Sequence, residues 1–257
     1  MIIGIVGFAQ TGKDLIANIL SDTIKAQRIA FADPVKRVVR DIFEFSEEQL
    51  WGTQTQKESP DLRYPRSSHD WDPERYYSQK DYGFRRKCLC CGLVASHDDV
   101  TGGMVAKCYL TPRYAMKKVG TEGARASWDP IWVKKALDDA GRVQEGYTYT
   151  KQWGVEPPIK LPTYVLRVGG EEAEIPAPDR PERHVVFPDT RFIDEVEGIL
   201  DNGGRVYRVK RTGYDRPAFN HPSETEQLQI PDARLHGVIY NDSTPEDLEI
   251  KLRGLFC

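Results

Sequence analysis

This sequence predicts an α/β fold with a mainly parallel sheet and helices on both faces. Three observations carry that reading. Short apolar runs alternate with helical periodicities through the first 50 residues and again from residue 185 onward. The first strand runs directly into a glycine-bounded loop and a helix. Charged residues stand at predicted strand ends, where ligands bind in sheets of this type.

The first sixteen residues hold the strongest pattern. Ile2-Ile3-Gly4-Ile5-Val6 reads as a buried strand, and Leu15, Ile16, Ile19 and Leu20 open an amphipathic helix. Between them, Gly7-Phe8-Ala9-Gln10-Thr11-Gly12-Lys13-Asp14 has the spacing G-x-x-x-x-G-K. Gly7 and Gly12 allow backbone conformations and close approaches that a side chain would obstruct. The N–H groups of the loop and of the helix start then face anionic oxygens, and Lys13 adds a positive charge at the outer phosphates. Gly7, Gln10, Thr11, Gly12, Lys13 and Asp14 are therefore candidate contacts for a nucleotide phosphate chain. The motif usually continues with Ser or Thr, whose hydroxyl binds magnesium; here Asp14 stands instead. A carboxylate can bind that metal or hold one of its waters, or simply complement the helix macrodipole.

The next elements follow in order. Arg28-Ile29-Ala30-Phe31-Ala32-Asp33 is a short strand ending in a polar residue. Asp33-Pro34 then starts a helix through Val35, Val38, Val39, Ile42 and Phe43, with Pro34 in the first turn. Asp33 suits an N-cap and a ligand contact alike. Residues 51–87, rich in Arg, Tyr, Ser, Asp and Pro, read as a long excursion. Helical patterning returns over Tyr114–Leu137, and residues 141–183 are again irregular. Val185-Val186-Phe187 is a buried strand ending at Asp189. A helix through Phe192, Val196, Ile199 and Leu200 follows, stopped by Asn202-Gly203-Gly204. Arg205–Arg211 and Val238–Asn241 read as the last strands, before a helix near Thr244-Pro245. The loop Gly7–Lys13, Asp33, and Asp189 with Arg191 thus fall at carboxyl ends of strands, around one crevice.

Bulk properties set limits on partners. The 257 residues are 39% hydrophobic, enough for a real core, and the formal net charge of −3 gives no pull toward nucleic acid or an anionic membrane. No run approaches the ~18 apolar residues of a membrane span. Met1 opens directly into the first strand, so a cytoplasmic chain is expected. Of five cysteines, Cys88, Cys90, Cys91 and Cys108 fall in one segment. In a reducing compartment such clustering favours metal over disulfides. Cys88, Cys91 and Cys108, completed by His97 or Cys90, would make a small structural zinc knuckle within an insertion. The expected segments are thus 1–64, an insertion over 65–110, and 111–257.

The ordered motifs resemble a known family. Gly7–Asp14 is followed by Phe31-Ala32-Asp33-Pro34-Val35-Lys36, Thr111-Pro112-Arg113 and Val119-Gly120-Thr121-Glu122-Gly123-Ala124-Arg125. Pro188-Asp189-Thr190-Arg191-Phe192 and His221-Pro222-Ser223-Glu224 complete the series. In this order they resemble the deoxynucleoside monophosphate kinases of the bacteriophage type, in the P-loop nucleoside monophosphate kinase superfamily. Residues 65–108 and 155–182 do not carry the resemblance.

The resemblance implies a P-loop kinase fold and phosphoryl transfer from ATP, with Mg²⁺, to a deoxynucleoside monophosphate (dNMP). It implies catalytic roles for Lys13, Asp14, Asp189 and Arg191, and acceptor contacts from Asp33, Lys36, Arg113, Gly120, Glu122 and Arg125. It also implies a lid-like region near 141–183, and a donor-base contact from the His221 segment, which equally suits a helix start at Ser223. Glu58 offers a polar edge for a base, whereas Trp51, Tyr64, Trp128 and Trp132 read better as core than as stacking partners. The partner expected is a small-molecule dNMP, with a homodimer left open and neither membrane nor nucleic acid. The rivals are a phosphomevalonate-type kinase, which also pairs G-K-D with Asp-x-Arg, and an ATP-binding protein whose Cys88–Cys108 knuckle contacts DNA beside the basic Arg85-Arg86-Lys87. The Thr121–Arg125 and His221–Glu224 segments favour the nucleotide kinase over the first, and the mild acidity of the chain disfavours the second.

Overall fold

The computed structural model describes residues 1–78, 84–96, 100, 105–128, 130–156, 165–168, 171–174, 183–214 and 225–256. The chain divides into two compact units, one of Met1–Pro34 with Pro130–Cys257 and the other of Val35–Asp129. The expected insertion over 65–110 lies inside the second.

The first unit holds the sheet. Its strands are β1 (Ile2–Val6), β2 (Gln27–Arg28), β12 (Val185–Thr190), β13 (Arg205–Lys210) and β14 (Gly237–Tyr240), in the order β14-β13-β1-β12-β2. Every neighbouring pair is parallel. Strand β1 is central and buried throughout, as a continuous apolar run in a doubly covered sheet should be. Ile2 and Val6 pack on one side with Val133, Ala136, Ala140, Val196 and Ile199. Those residues belong to α6 (Ile131–Gln144) and α7 (Ile193–Asp201). Ile3 and Ile5 point to the other side, onto Ile16, Leu20, Leu248 and Leu252 of α1 (Lys13–Thr23) and α8 (Pro245–Phe256). Gly4 falls on the first side, where a Cβ would come 2.6 Å from Ile199 Cδ1. The glycine lets α7 close onto the central strand.

The predicted strand at Arg28–Asp33 is shorter than expected. Gln27 and Arg28 pair with Val185 and Val186, and one further bond, Ile29 N–H to Val186 O at 3.0 Å, ends the ladder. The chain must then turn into α2 (Asp33–Phe43), and Asp33 N–H closes that turn on Ala30 O. A hairpin of β8 (Thr148–Thr150) and β9 (Gly154–Glu156) follows α6, and backbone pairing joins β10 (Val165–Val168) to β11 (Glu171–Glu174). Residues 157–164, 169–170 and 175–182 of the expected lid-like region, and the His221–Glu224 segment, lie outside the described residues.

The second unit is built from short pieces. Helices α3 (Glu47–Trp51) and α4 (Gln54–Glu58) each start with a capping box, Ser46 with Gln49 and Thr53 with Gln56. Strands β3 (Pro65–Arg66) and β7 (Cys108–Tyr109) form one antiparallel pair; β4 (Trp71–Ser78), β5 (Phe84–Cys88) and β6 (Val94–Ser96) form a three-stranded sheet. The helix expected over Tyr114–Leu137 is interrupted. It consists of α5 (Pro112–Lys117), a π-helix over Lys118–Arg125, and then α6. Gly120 and Gly123 lower the cost of departing from α geometry, and Pro130, which has no N–H to donate, stands at the start of α6.

Candidate active site

Two long-range polar contacts and one local one shape the loop after β1. Gly7 N–H donates to Oε1 of Gln227 at 3.1 Å, and the Gln227 side chain is fully buried. Asn241 Nδ2 donates to Thr11 O at 2.8 Å, while Thr11 Oγ1 donates to Phe8 O at 2.9 Å. Gly12 caps α1 at φ 97°, and a Cβ there would overlap Asn241 Nδ2. A Cβ on Gly7 would approach Val209 O to 2.8 Å. Both glycines that the motif requires are thus needed sterically, and Gln10 also takes a positive φ, 66°.

Lys13 folds back on its own loop. Its Nζ donates to Gly7 O at 2.5 Å and Phe8 O at 2.6 Å. The ammonium is therefore held at the loop, where the phosphates of a nucleotide would sit. Asp14 is exposed and pairs with Arg28 Nη2 at 2.6 Å; Arg28 Nη1 also reaches Asn18 Oδ1.

Around the ends of β2 and β12, two carboxylates organise one backbone turn. Asp189 Oδ1 accepts from Phe31 N–H at 3.2 Å, and Asp33 Oδ2 accepts from Ala30 N–H at 3.2 Å and from Tyr149 O–H at 2.9 Å. Phe31 stacks on Phe187, with ring centroids 4.4 Å apart. Arg191 follows β12, its N–H held by Glu195 Oε2 at 2.6 Å; the same oxygen accepts from Phe192 N–H at 3.1 Å. Burial pushes the Glu195 carboxyl up to about 8, helped by the Asp189 charge and opposed by those two N–H groups. Burial therefore outweighs good hydrogen bonding, and Glu195 is mostly neutral at pH 7.

A cavity of 370 Å³ opens beside the loop. Gly7 and Phe8 form one wall. Val209, Tyr214, Leu228, Ile230 and Pro231 supply most of the rest. Asp232 holds Arg208 Nε at 2.5 Å and Lys210 Nζ at 2.7 Å, so one carboxylate is shared by two cations there. Hydrogen bonding to Lys210 lowers the Asp232 pKa against the effect of burial. A mainly apolar slot with a few polar groups has the character of a small-molecule site.

The second unit carries the other expected residues. Arg113, exposed on the first turn of α5, has its Nε 3.5 Å from Glu58 Oε1. Lys36 Nζ lies 5.7 Å from the centre of the Trp51 ring. Gly120 is buried in the π-helix, Glu122 pairs with Lys118 at 2.5 Å, and Arg125 ends the segment half-buried. Trp128, read from sequence as core, is half-exposed.

The cysteine segment converges in that same unit. Cys88, Cys91 and Cys108 meet as expected, and the fourth group beside them is His69. His97 lies outside the described residues. Cys90, the other candidate, is buried but directs its Sγ at Tyr109 O, 3.3 Å away. Burial would raise the Cys88 thiol, but N–H groups of Cys91, Cys90 and Asp70 and the His69 ring leave it lowered to about 7. Burial and the neighbouring thiols raise Cys91 and Cys108.

Sequence reasoning missed His69, Gln227 and Glu195 and gave Asn241 no role at the loop. A weak signal existed for His69, which precedes Trp71 just upstream of the cysteines. Gln227 and Asn241 act across more than 200 residues of chain, and no local pattern announces such contacts.

Among the described residues, no helix is long and apolar enough to cross a membrane. No family model matches the chain. A protein of Acanthamoeba polyphaga mimivirus, provisionally named a deoxynucleotide monophosphate kinase, is 41% identical over 248 residues, covering 96% of this chain and 91% of its own length. This relative is viral without being a bacteriophage protein, so the resemblance holds more broadly than the bacteriophage type. Similarity of this extent, at 41% identity over nearly the whole of both chains, means that the chain belongs to the deoxynucleotide monophosphate kinase family.

Proposed function

We propose that this protein transfers the terminal phosphoryl group of ATP to a deoxynucleoside monophosphate, forming ADP and a deoxynucleoside diphosphate. The observation that carries the reading is the glycine loop at the end of the central parallel strand, with Lys13 folded into it and an apolar cavity beside it. The extended similarity to a deoxynucleotide kinase supports the acceptor class.

Phosphoryl transfer needs positioning and charge neutralisation more than covalent help. Lys13 exchanges Gly7 O and Phe8 O for oxygens of the transferred group, and N–H groups of the loop and of the first turn of α1 hold the others. The cavity lined by Phe8, Tyr214, Leu228 and Ile230 takes the donor base. The oxygen donors of Asp14 and Asp189 fit magnesium, which prefers such ligands. Magnesium bound with ATP would neutralise charge on the phosphate oxygens. Arg28 leaves Asp14 as the phosphates arrive. Arg191, fixed through its backbone by Glu195, neutralises charge on the transferring group. Asp33 holds the turn at Ala30 in place for the acceptor side. Arg113 and Arg125 clamp the acceptor phosphate, since a guanidinium fork matches two phosphate oxygens, while Lys36, Gly120 and Glu122 border the acceptor.

The test is ADP release in a coupled assay across deoxynucleoside monophosphates, ribonucleoside monophosphates and phosphomevalonate. Turnover with at least one deoxynucleoside monophosphate, well above the ribonucleotide and phosphomevalonate rates, is expected. Turnover with phosphomevalonate alone would overturn the reading.

A further inference from the structure

We propose that His69, Cys88, Cys91 and Cys108 hold one structural zinc ion, with His69 bound through Nδ1. The four ligand atoms lie within 4.8 Å of one another. A tetrahedral zinc with Zn–S of about 2.3 Å and Zn–N of about 2.0 Å sets S···S edges near ~3.8 Å and S···N edges near ~3.5 Å. Cys88 Sγ and Cys108 Sγ are 3.9 Å apart, and Cys91 Sγ is 3.6 Å from His69 Nδ1. Both edges match the zinc tetrahedron, and the sulfur pair is far from the ~2.05 Å of a disulfide.

The imidazole is already set in the ligating tautomer. His69 Nε2 lies 2.7 Å from Ala106 O. A carbonyl can only accept, so Nε2 carries the proton and Nδ1 presents its lone pair to the thiols. Metal-bound histidines are commonly oriented by such a contact. The ring also stacks on Trp71, with centroids 4.7 Å apart. Cys90 supplies an internal contrast: it is as buried as Cys88 and Cys108 yet directs its sulfur to Tyr109 O. Burial of small thiols would not by itself sort three cysteines toward one centre and one away from it.

The soft sulfur donors select zinc over magnesium or calcium. Cys88 is 0% exposed and Cys108 2%, and four protein ligands leave no open position, so the site is structural and not catalytic. The strands it joins are too short to order themselves. Cys108 lies in the two-residue β7 and Cys88 ends β5, while His69 lies between β3 and β4. The ion also braces α5. Thr111, the N-cap of α5, donates from Oγ1 to Cys90 O at 2.7 Å, and Tyr114 O–H donates to Asp70 Oδ2 at 2.6 Å. Asp70 is adjacent to His69, and Arg113 sits between Thr111 and Tyr114.

The experiment measures metal on the full chain purified without chelator, then replaces zinc by cobalt(II). About one zinc per chain is expected, with the visible and near-ultraviolet cobalt bands of a tetrahedral three-thiolate, one-nitrogen site. Cys90→Ser should keep full zinc, and His69→Ala should bind zinc at least tenfold more weakly. His69→Cys guards against a variant that simply misfolds, since it should retain zinc with cobalt bands shifted toward four sulfurs. Wild-type protein with zinc near zero overturns the proposal. So does full zinc affinity in His69→Ala with loss in His97→Ala. Resting on the kinase reading, metal loss in Cys108→Ser should raise KM for the deoxynucleotide several-fold and leave KM for ATP unchanged. Protein that holds zinc but phosphorylates no nucleotide would defeat the kinase reading and leave the zinc assignment standing.

Discussion

Replacing Glu195 by Gln tests whether a neutral side chain is what the end of β12 requires. In the folded protein this carboxyl is raised from 4.5 to about 8, chiefly by burial and next by the charge of Asp189. Because the folded pKa lies above the unfolded one, the stabilisation from the bound proton is fully present below about 4.5. It declines as pH rises and is gone above about 8. At ~1.4 kcal/mol per tenfold in proton affinity, the whole difference is roughly 5 kcal/mol. Glutamine copies the shape of the protonated acid and keeps an oxygen for Arg191 N–H and Phe192 N–H, but it cannot ionise. Glu195→Gln should therefore match the wild type to within ~1 kcal/mol near pH 5. It should gain on the wild type by several kcal/mol between pH 5 and pH 8.5. Urea unfolding of both proteins across that range, taken as a difference, cancels the titration of all other groups. Parallel profiles, or a glutamine variant that is several kcal/mol weaker at pH 5, would refute the argument that burial has neutralised this acid.

Three further outcomes follow from the geometry. Lys13→Ala should lower phosphoryl transfer about a thousandfold while changing stability by less than ~1 kcal/mol, because water can replace the ammonium at Gly7 O and Phe8 O; turnover near wild type would remove Lys13 from the mechanism. Gly12→Ala should destabilise by roughly 2 kcal/mol or more, from the left-handed backbone and the overlap with Asn241, and so lower Tm by roughly 4 °C or more; an unchanged melting curve would contradict that strain. Arg125→Ala should raise KM for the deoxynucleotide at least tenfold with KM for ATP unchanged, and steady-state kinetics with each substrate varied in turn would expose the opposite assignment.

The parallel sheet was legible because its strands announce themselves. Ile2–Val6 and Val185–Phe187 are continuous apolar runs, and the helices between them carry their own periodicity. The loop was legible because its chemistry is written locally, in eight consecutive residues. Other features lay beyond local patterns. The end of β2 is set by Asp33 and Asp189 capturing backbone N–H groups, not by loss of apolar character at Ile29-Ala30-Phe31. The change after Lys117 reflects glycines inside an otherwise helical pattern, and Pro130 marks where the next helix begins. His69 escaped notice because metal-ligand spacing was sought downstream of the cysteines, whereas the antiparallel pairing of β3 with β7 brings an upstream residue back to them.

The polar contacts of the loop explain how it keeps its shape while its lysine remains able to move. Gly7 N–H is committed to Gln227 and Thr11 O to Asn241. Both partners are buried and both come from the last 31 residues of the chain, so solvent does not compete for these bonds. Lys13, by contrast, satisfies its ammonium on carbonyls of the loop itself, and Asp14 satisfies its carboxylate on Arg28 at the surface. Surface ion pairs are weak, and carbonyl oxygens are readily exchanged for the stronger phosphate oxygens. The division is functional. Backbone geometry, which must be in place before a nucleotide arrives, rests on buried long-range bonds. On the proposed function, the charged groups, which would reorganise around the phosphates, rest on contacts that cost little to break. A chain that places aspartate after the lysine, as this one does at Asp14, needs such an arrangement more than one that places serine there. On the proposed function, an uncompensated carboxylate at this helix start would repel phosphates; Arg28 compensates Asp14 in the structure, and magnesium bound with ATP would take over that role.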